Sequence, residues 1–159
     1  MKRQLLSIDY DFDFYLIGIN CVLKDYRLCF EINRKLNLKL KRVDEMVIIK
    51  EKIQEKNNQK DTLEESFFEG EHFIPSFSNF ACLDEKTELM YKVVSNKCQS
   101  ILLIPEQKAA DYFLRISGEG PIRDKKATLS KVQEIPIVLA AFEIDPNKLK
   151  SKNNMLFND

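Results

Sequence analysis

Apolar residues recur along this chain in two rhythms, and the switches between them predict its elements. Residues 12–19 are dense in large apolar side chains and read as a strand, with Gly18 and Asn20 loosening its end. Over residues 23–36 the period becomes helical. Lys24, Arg27, Glu31, Arg34 and Lys35 fall on one side, while Val22, Tyr26, Cys29, Ile32 and Leu36 fall on the side expected to pack on a core. Asn37 is placed to end that helix. Residues 38–49 open with alternating apolar and charged side chains, as a half-exposed strand requires. Residues 51–65 then carry only Ile53 and Leu63 as large apolar side chains. So little can be buried there that a mobile polar loop within one domain is expected.

From Phe67 onward the texture turns to strands. Phe67, Phe68, Phe73, Phe77 and Phe80 cluster around Pro75, which suggests an edge or a bend. Residues 79–83 and 88–95 flank a polar turn and predict a hairpin, with further strands at 100–104 and 111–117. Pro121 is placed to open a helix with Ile122, Leu129 and Val132 on one side, and Pro136 to end it. Residues 137–144 read as an apolar strand buried on both faces. Asp145 and Pro146 make a cap and first-turn pair for a short final helix. Strands segregated in the middle with helices toward the ends predict an α+β fold over residues 1–159: a single domain with a mostly antiparallel sheet covered on one face by helices.

Composition narrows the partner class. The chain has 159 residues, 25 Lys plus Arg against 25 Asp plus Glu, and therefore a net charge of zero. It has no global pull toward nucleic acid or an anionic membrane. The N-terminal residues show only a brief apolar stretch before Asp9, and no run approaches the ~18 apolar residues of a membrane span. Cys21, Cys29, Cys82 and Cys98 stand without C-x-x-C spacing, as expected of reduced thiols in the cytoplasm.

Each candidate for chemistry has a plainer competitor. Asp9, Asp11 and Asp13 would share one face of a strand, and three carboxylates suit a hard cation. Phe14 and Asn20 stand where a calcium loop needs glycine and glutamate, so a solvated acidic face is preferred. His72 is the only histidine, which rules out a His-based metal site within one chain. No G-x-S-x-G elbow and no phosphate-cradling glycine loop is present. Gly118-Glu119-Gly120 places a carboxylate where a bound anion would sit, so it reads as a turn. Catalytic residues, metal ligands and cofactors are accordingly assigned to none.

Two surfaces remain. The aromatic stretch holding Phe67, Phe68, Phe73, Phe77 and Phe80 has glutamates nearby and no lysine, so a protein-binding edge suits it better than base stacking. Lys125, Lys126 and Lys131, with Lys148, Lys150 and Lys152, form a basic patch for RNA provided both sets lie on the same side of the sheet.

The segment at residues 103–114, Leu-Ile-Pro-Glu-Gln-Lys-Ala-Ala-Asp-Tyr-Phe-Leu, resembles the signature of the IPExxVDY family of short bacterial proteins. The likeness extends to residues 18–38 and 141–157. It carries Ile104, Pro105, Glu106, Asp111 and Tyr112 across. Ala110 replaces the signature valine, and four residues rather than three separate Glu106 from Asp111. That family has no established activity, so the resemblance implies a label and no mechanism. Read from the residues, Pro105 ends one strand and Asp111 turns the backbone into the next, as a joint between strands requires. A carboxylate pair of Glu106 and Asp111 assisted by His72 is the enzymatic alternative. The expectation is a non-enzymatic cytoplasmic protein that binds another protein or a second copy of itself. The alternative is an RNA-associated accessory protein, and no membrane partner is expected.

Overall fold

The structure is a computed structural model that describes residues 14–48 and 74–155. The predicted loop at 51–65, together with Asp9, Asp11, Asp13, Phe67, Phe68, His72 and Phe73, lies outside the described residues. The chain is α+β. Strands β1 (Tyr15–Asn20), β2 (Lys41–Val47), β3 (Ser76–Asp84), β4 (Leu89–Ser95), β7 (Tyr112–Gly118) and β8 (Ala140–Ile144) form one sheet in the order β2-β3-β4-β7-β1-β8. Every neighbouring pair is antiparallel. Helices α1 (Asp25–Leu36) and α2 (Lys125–Gln133) join it, with a two-stranded ribbon of β5 (Lys97–Cys98) and β6 (Ile101–Leu102).

β1 lies inside the sheet, and its near-continuous burial comes from cover on both faces. Tyr15, Ile17 and Ile19 join Leu28, Cys29 and Ile32 of α1 and Val132 of α2 in one core. Phe14 and Leu16 join Phe77, Val94, Leu103, Ile104, Phe113, Leu149 and Met155 in the other. The helical cover of one face read from the sequence is present, and the second face is covered as well. α1 and α2 cover one face, while the turns between β4 and β7 and the C-terminal segment cover the second. Gly18 lies directly opposite Phe142 of β8, where an added Cβ would stand 2.7 Å from the phenyl ring. The missing side chain is what lets that ring lie across β1.

α1 stops at Asn37 as the sequence predicts, in the left-handed conformation at φ 55°. Asn33 then clasps Leu40, its carbonyl accepting from the Leu40 amide at 2.8 Å and its amide donating back to the Leu40 carbonyl at 3.3 Å. The hairpin of β3 and β4 also forms where it is expected. Four local readings are corrected. The strand expected at 100–104 shrinks to Ile101–Leu102, because Asn96 takes the next two backbone amides. α2 begins at Lys125 rather than at Pro121. β8 is an outer strand with Ala140 and Glu143 exposed, not one buried on both faces. Asp145 caps as predicted, accepting from the Asn147 amide at 3.0 Å, but the turn it opens is 3₁₀, Pro146–Lys148, with a second at Lys152–Met155.

On the second face, Lys92 and Arg115 are direct cross-strand partners and both are buried. The Arg115 guanidinium lies 4.6 Å from the centre of the Phe14 ring. Among the described residues, no helix is long and apolar enough to cross a membrane.

Candidate functional site

The segment from Asn96 to Tyr112 folds around one buried side chain. Asn96 is fully buried, and its carbonyl accepts from the Ile104 amide at 2.8 Å. Its amide donates to the carbonyls of Gln107 at 3.0 Å and Ala110 at 2.8 Å. Its backbone carbonyl takes the Leu103 amide at 2.8 Å. A chain that turns inside a protein must find partners for its backbone groups, and here a single asparagine supplies four of them.

The motif residues extend outward from that hub. Ile104 and Ala110 are fully buried, and Pro105 stands exposed at the bend. Glu106 accepts from the Ser151 amide at 2.7 Å and from the Ser151 hydroxyl at 3.0 Å. Partial burial pushes its carboxyl up, but the hydrogen bonds from Ser151 and from neighbouring amides outweigh this and hold it below the ordinary glutamate range. Asn154 completes the attachment of the C-terminal segment by donating to the Leu103 carbonyl at 2.8 Å. Asp111 works on a different element. Its carboxylate accepts from the Cys21 amide at 2.9 Å and pairs with Lys97, while its own amide donates to the Ile19 carbonyl at 2.8 Å. The Tyr112 hydroxyl donates to the Leu23 carbonyl at 2.6 Å, just ahead of α1. Burial, reinforced by the charge of Asp25, pushes that phenol up.

Glu106 therefore holds the C-terminal segment, and Asp111 and Tyr112 hold the β1–α1 junction. Glu106 lines a cleft with Phe142, Glu143, Asp145, Lys148 and Lys150, and Asp111 is not among its walls. The acid–base pair sketched from the sequence thus has its two carboxylates committed to separate structural bonds. Among the described residues no three His, Cys, Asp or Glu side chains converge as metal ligands. Cys29 is deeply buried, and its thiol is pushed up to about 12 by burial and by Asp25.

The aromatic edge is corrected where it is described. Phe77 and Phe80 lie on β3, which is paired on both sides by β2 and β4, and both rings are buried. The basic patch is corrected as well. Lys125, Lys126 and Lys131 ride on α2, which packs through Val132 on one face of the sheet. Lys148, Lys150 and Lys152 lie in the segment that packs through Leu149 and Met155 on the opposite face. The common side that the RNA alternative needs is not formed.

The sequence reading missed a third surface. Tyr26 is 58% exposed and Phe30 57% exposed, one turn apart on the outer side of α1. Val22, just before the helix, is 79% exposed. Val22 and Tyr26, two of the five residues that the sequence placed on the core side, are thereby corrected to the outer side, while Cys29 and Ile32 are buried as expected. Arg34 lies 5.8 Å from the centre of the Phe30 ring and 3.8 Å from Glu31, and Arg27 is exposed two turns before Arg34. The signal was in the helix itself: Tyr26, Leu28, Cys29, Phe30 and Ile32 span a wider apolar arc than one packed face can use. Lys35 pairs with Glu134, the residue that caps α2, at 2.8 Å across the exposed seam between the two helices.

Family models, curated proteins and solved structures were compared with the chain, and none matches.

Proposed function

We propose that this chain is a cytoplasmic, non-catalytic protein-binding module whose contact surface is the outer face of α1. The observation that carries the reading is the exposed pair Tyr26 and Phe30, on a helix whose other side is sealed by Leu28, Cys29 and Ile32. Aromatic residues and arginine are the types enriched at the centres of protein interfaces, and Arg27 and Arg34 flank the pair. Each ring leaves on the order of 100 Å² open, given the ~150–250 Å² that an aromatic buries in full. Covering it contributes roughly 2–3 kcal/mol at about 25 cal/mol per Å², the size of an interface hot spot.

The sheet edges support the same choice by being poor docking sites. β2 carries Lys41, Arg42, Asp44 and Glu45 and a register shift between Val43 and Met46, features that discourage strand addition. β8 is short, and Gln133 of α2 donates to its Ala141 carbonyl at 2.9 Å. The proposal includes membership of the IPExxVDY family, with Glu106, Asp111 and Tyr112 serving the fold.

The test compares the wild-type chain with a Tyr26→Asp/Phe30→Asp variant as bait in a native lysate, with and without nuclease. Captured proteins are then identified, purified and rebound. The expected result is nuclease-resistant binding that weakens about 30-fold or more in the variant, the loss of one hot spot. Equal binding by both chains, or capture that disappears with nuclease, contradicts the reading.

A further inference from the structure

The outer face of α1 is asymmetric. Tyr26, Phe30 and Arg34 recur at four-residue spacing and form one ridge along it, with exposed Val22 and Leu23 at its N-terminal end. Arg27 and Arg34 are a heptad apart, so they stand one above the other on a single flank of the rings. Among the described residues Arg27 is in no ion pair, and Arg34 meets Glu31 only at 3.8 Å with 68% of its side chain exposed. On the opposite flank Asn33 and Leu36 carry no charge, and Asn33 is already bonded to Leu40.

We infer that the occupant of this face is an amphipathic helix of another protein, with an apolar seam over Tyr26 and Phe30 and acidic residues along the edge that meets Arg27 and Arg34. The assignment rests on the protein-binding reading of the face and names the class of partner. A strand needs a free backbone edge, which the side of a helix does not offer. A ridge at four-residue spacing instead fits the groove between two rows of a second helix. The 12 residues of α1 span about 18 Å, room for roughly three turns of such a partner. Acidic side chains on one edge of it complete the exposed guanidinium groups, and the uncharged opposite flank leaves the rest of the contact apolar. The one-sided charge also works against the competitors. Two α1 helices packed antiparallel would set Arg27 of one copy against Arg34 of the other. An anionic bilayer is uniform in its plane and draws on basic residues around the whole rim of an apolar face, whereas here both arginines occupy one flank.

The experiment measures binding of the full chain to two fluorescein-labelled helical peptides of about three heptads, each with leucine along its seam. One carries glutamate along its flanks and the other lysine, so like charges keep each free peptide from pairing with itself. The glutamate peptide is expected to bind wild type roughly tenfold more tightly than the lysine peptide, with the difference shrinking as salt rises. Arg27→Glu/Arg34→Glu is expected to reverse that order, which a chain that merely failed to fold could not do. Tyr26→Asp/Phe30→Asp is expected to weaken the glutamate peptide about tenfold or more. Wild type that binds neither peptide, binds both equally, or keeps its preference after charge reversal overturns the assignment. So does wild type that prefers vesicles of phosphatidylcholine and phosphatidylserine, or single-stranded polyuridylate, to the glutamate peptide. If both peptides are ignored while protein capture still depends on Tyr26 and Phe30, only the helical class of partner falls. If that dependence is absent too, the protein-binding reading falls with it.

Discussion

Asn96 shows how much of a fold one side chain can hold. It is fully buried and satisfies three backbone groups through its amide, at Ile104, Gln107 and Ala110. Replacing it with alanine leaves those groups buried without partners, each costing about 1–3 kcal/mol. Asn96→Ala is therefore expected to lower stability by roughly 3 kcal/mol or more, and Tm by about 6–12 °C, as followed by thermal unfolding. Glu106 gives a signed prediction in pH. Its folded pKa lies below the unfolded value, so its bond to Ser151 contributes fully above the ordinary glutamate range. That contribution is lost as pH falls through the lower folded value. The Ser151 amide resonance should move in that acidic window, and Glu106→Gln should remove the movement. The thiols divide by burial: Cys82 and Cys98, which are partly exposed, should react with a thiol reagent before Cys21 and Cys29. Of these residues, the sequence singled out Glu106 for its motif and passed over Asn96. A buried asparagine gives no periodic signal, and its role exists only once residues 96 and 104–110 meet.

Elements were legible where their cause is local. Asn37 ends α1, the polar turn at residues 84–88 joins β3 to β4, and Asp145 caps the turn after β8. Each outcome is decided within a few residues of the signal. Placement of β1 between β7 and β8 depends on partners about 100 residues away, and no local pattern encodes it. The same remoteness explains why residues 137–144 read as a doubly buried strand: their apolar content reflects contact with β1 and α2, not a central position. Gly18 records that long-range contact. Gly18→Ala should cost about 1–3 kcal/mol by driving a methyl group into the Phe142 ring. Phe142→Ala in the same chain should recover part of that cost, and a double-mutant cycle in denaturant should show the two positions to be coupled.

At the scale of the molecule, the sheet is covered on both faces, and its outer strands are charged and bulged or short and bonded to α2. The open aromatic surface is the outer side of α1, which shows Tyr26 and Phe30 beside Arg27 and Arg34. Helical periodicity identified α1 but not which apolar residues turn inward, because that depends on where α2 and the sheet sit around it. The motif segment around Glu106 and Asp111 acts from within, binding the β1–α1 junction and the C-terminal segment in place. The residues of that segment serve the fold, and the proposed recognition surface is the outer face of α1. Side-chain oxidative footprinting of the chain, free and in complex with its partner, tests that division most directly. Protection concentrated on Tyr26 and Phe30 is the predicted result. Unchanged labelling of both rings, with protection appearing along β2, β8 or the lysine-bearing segments, would contradict it.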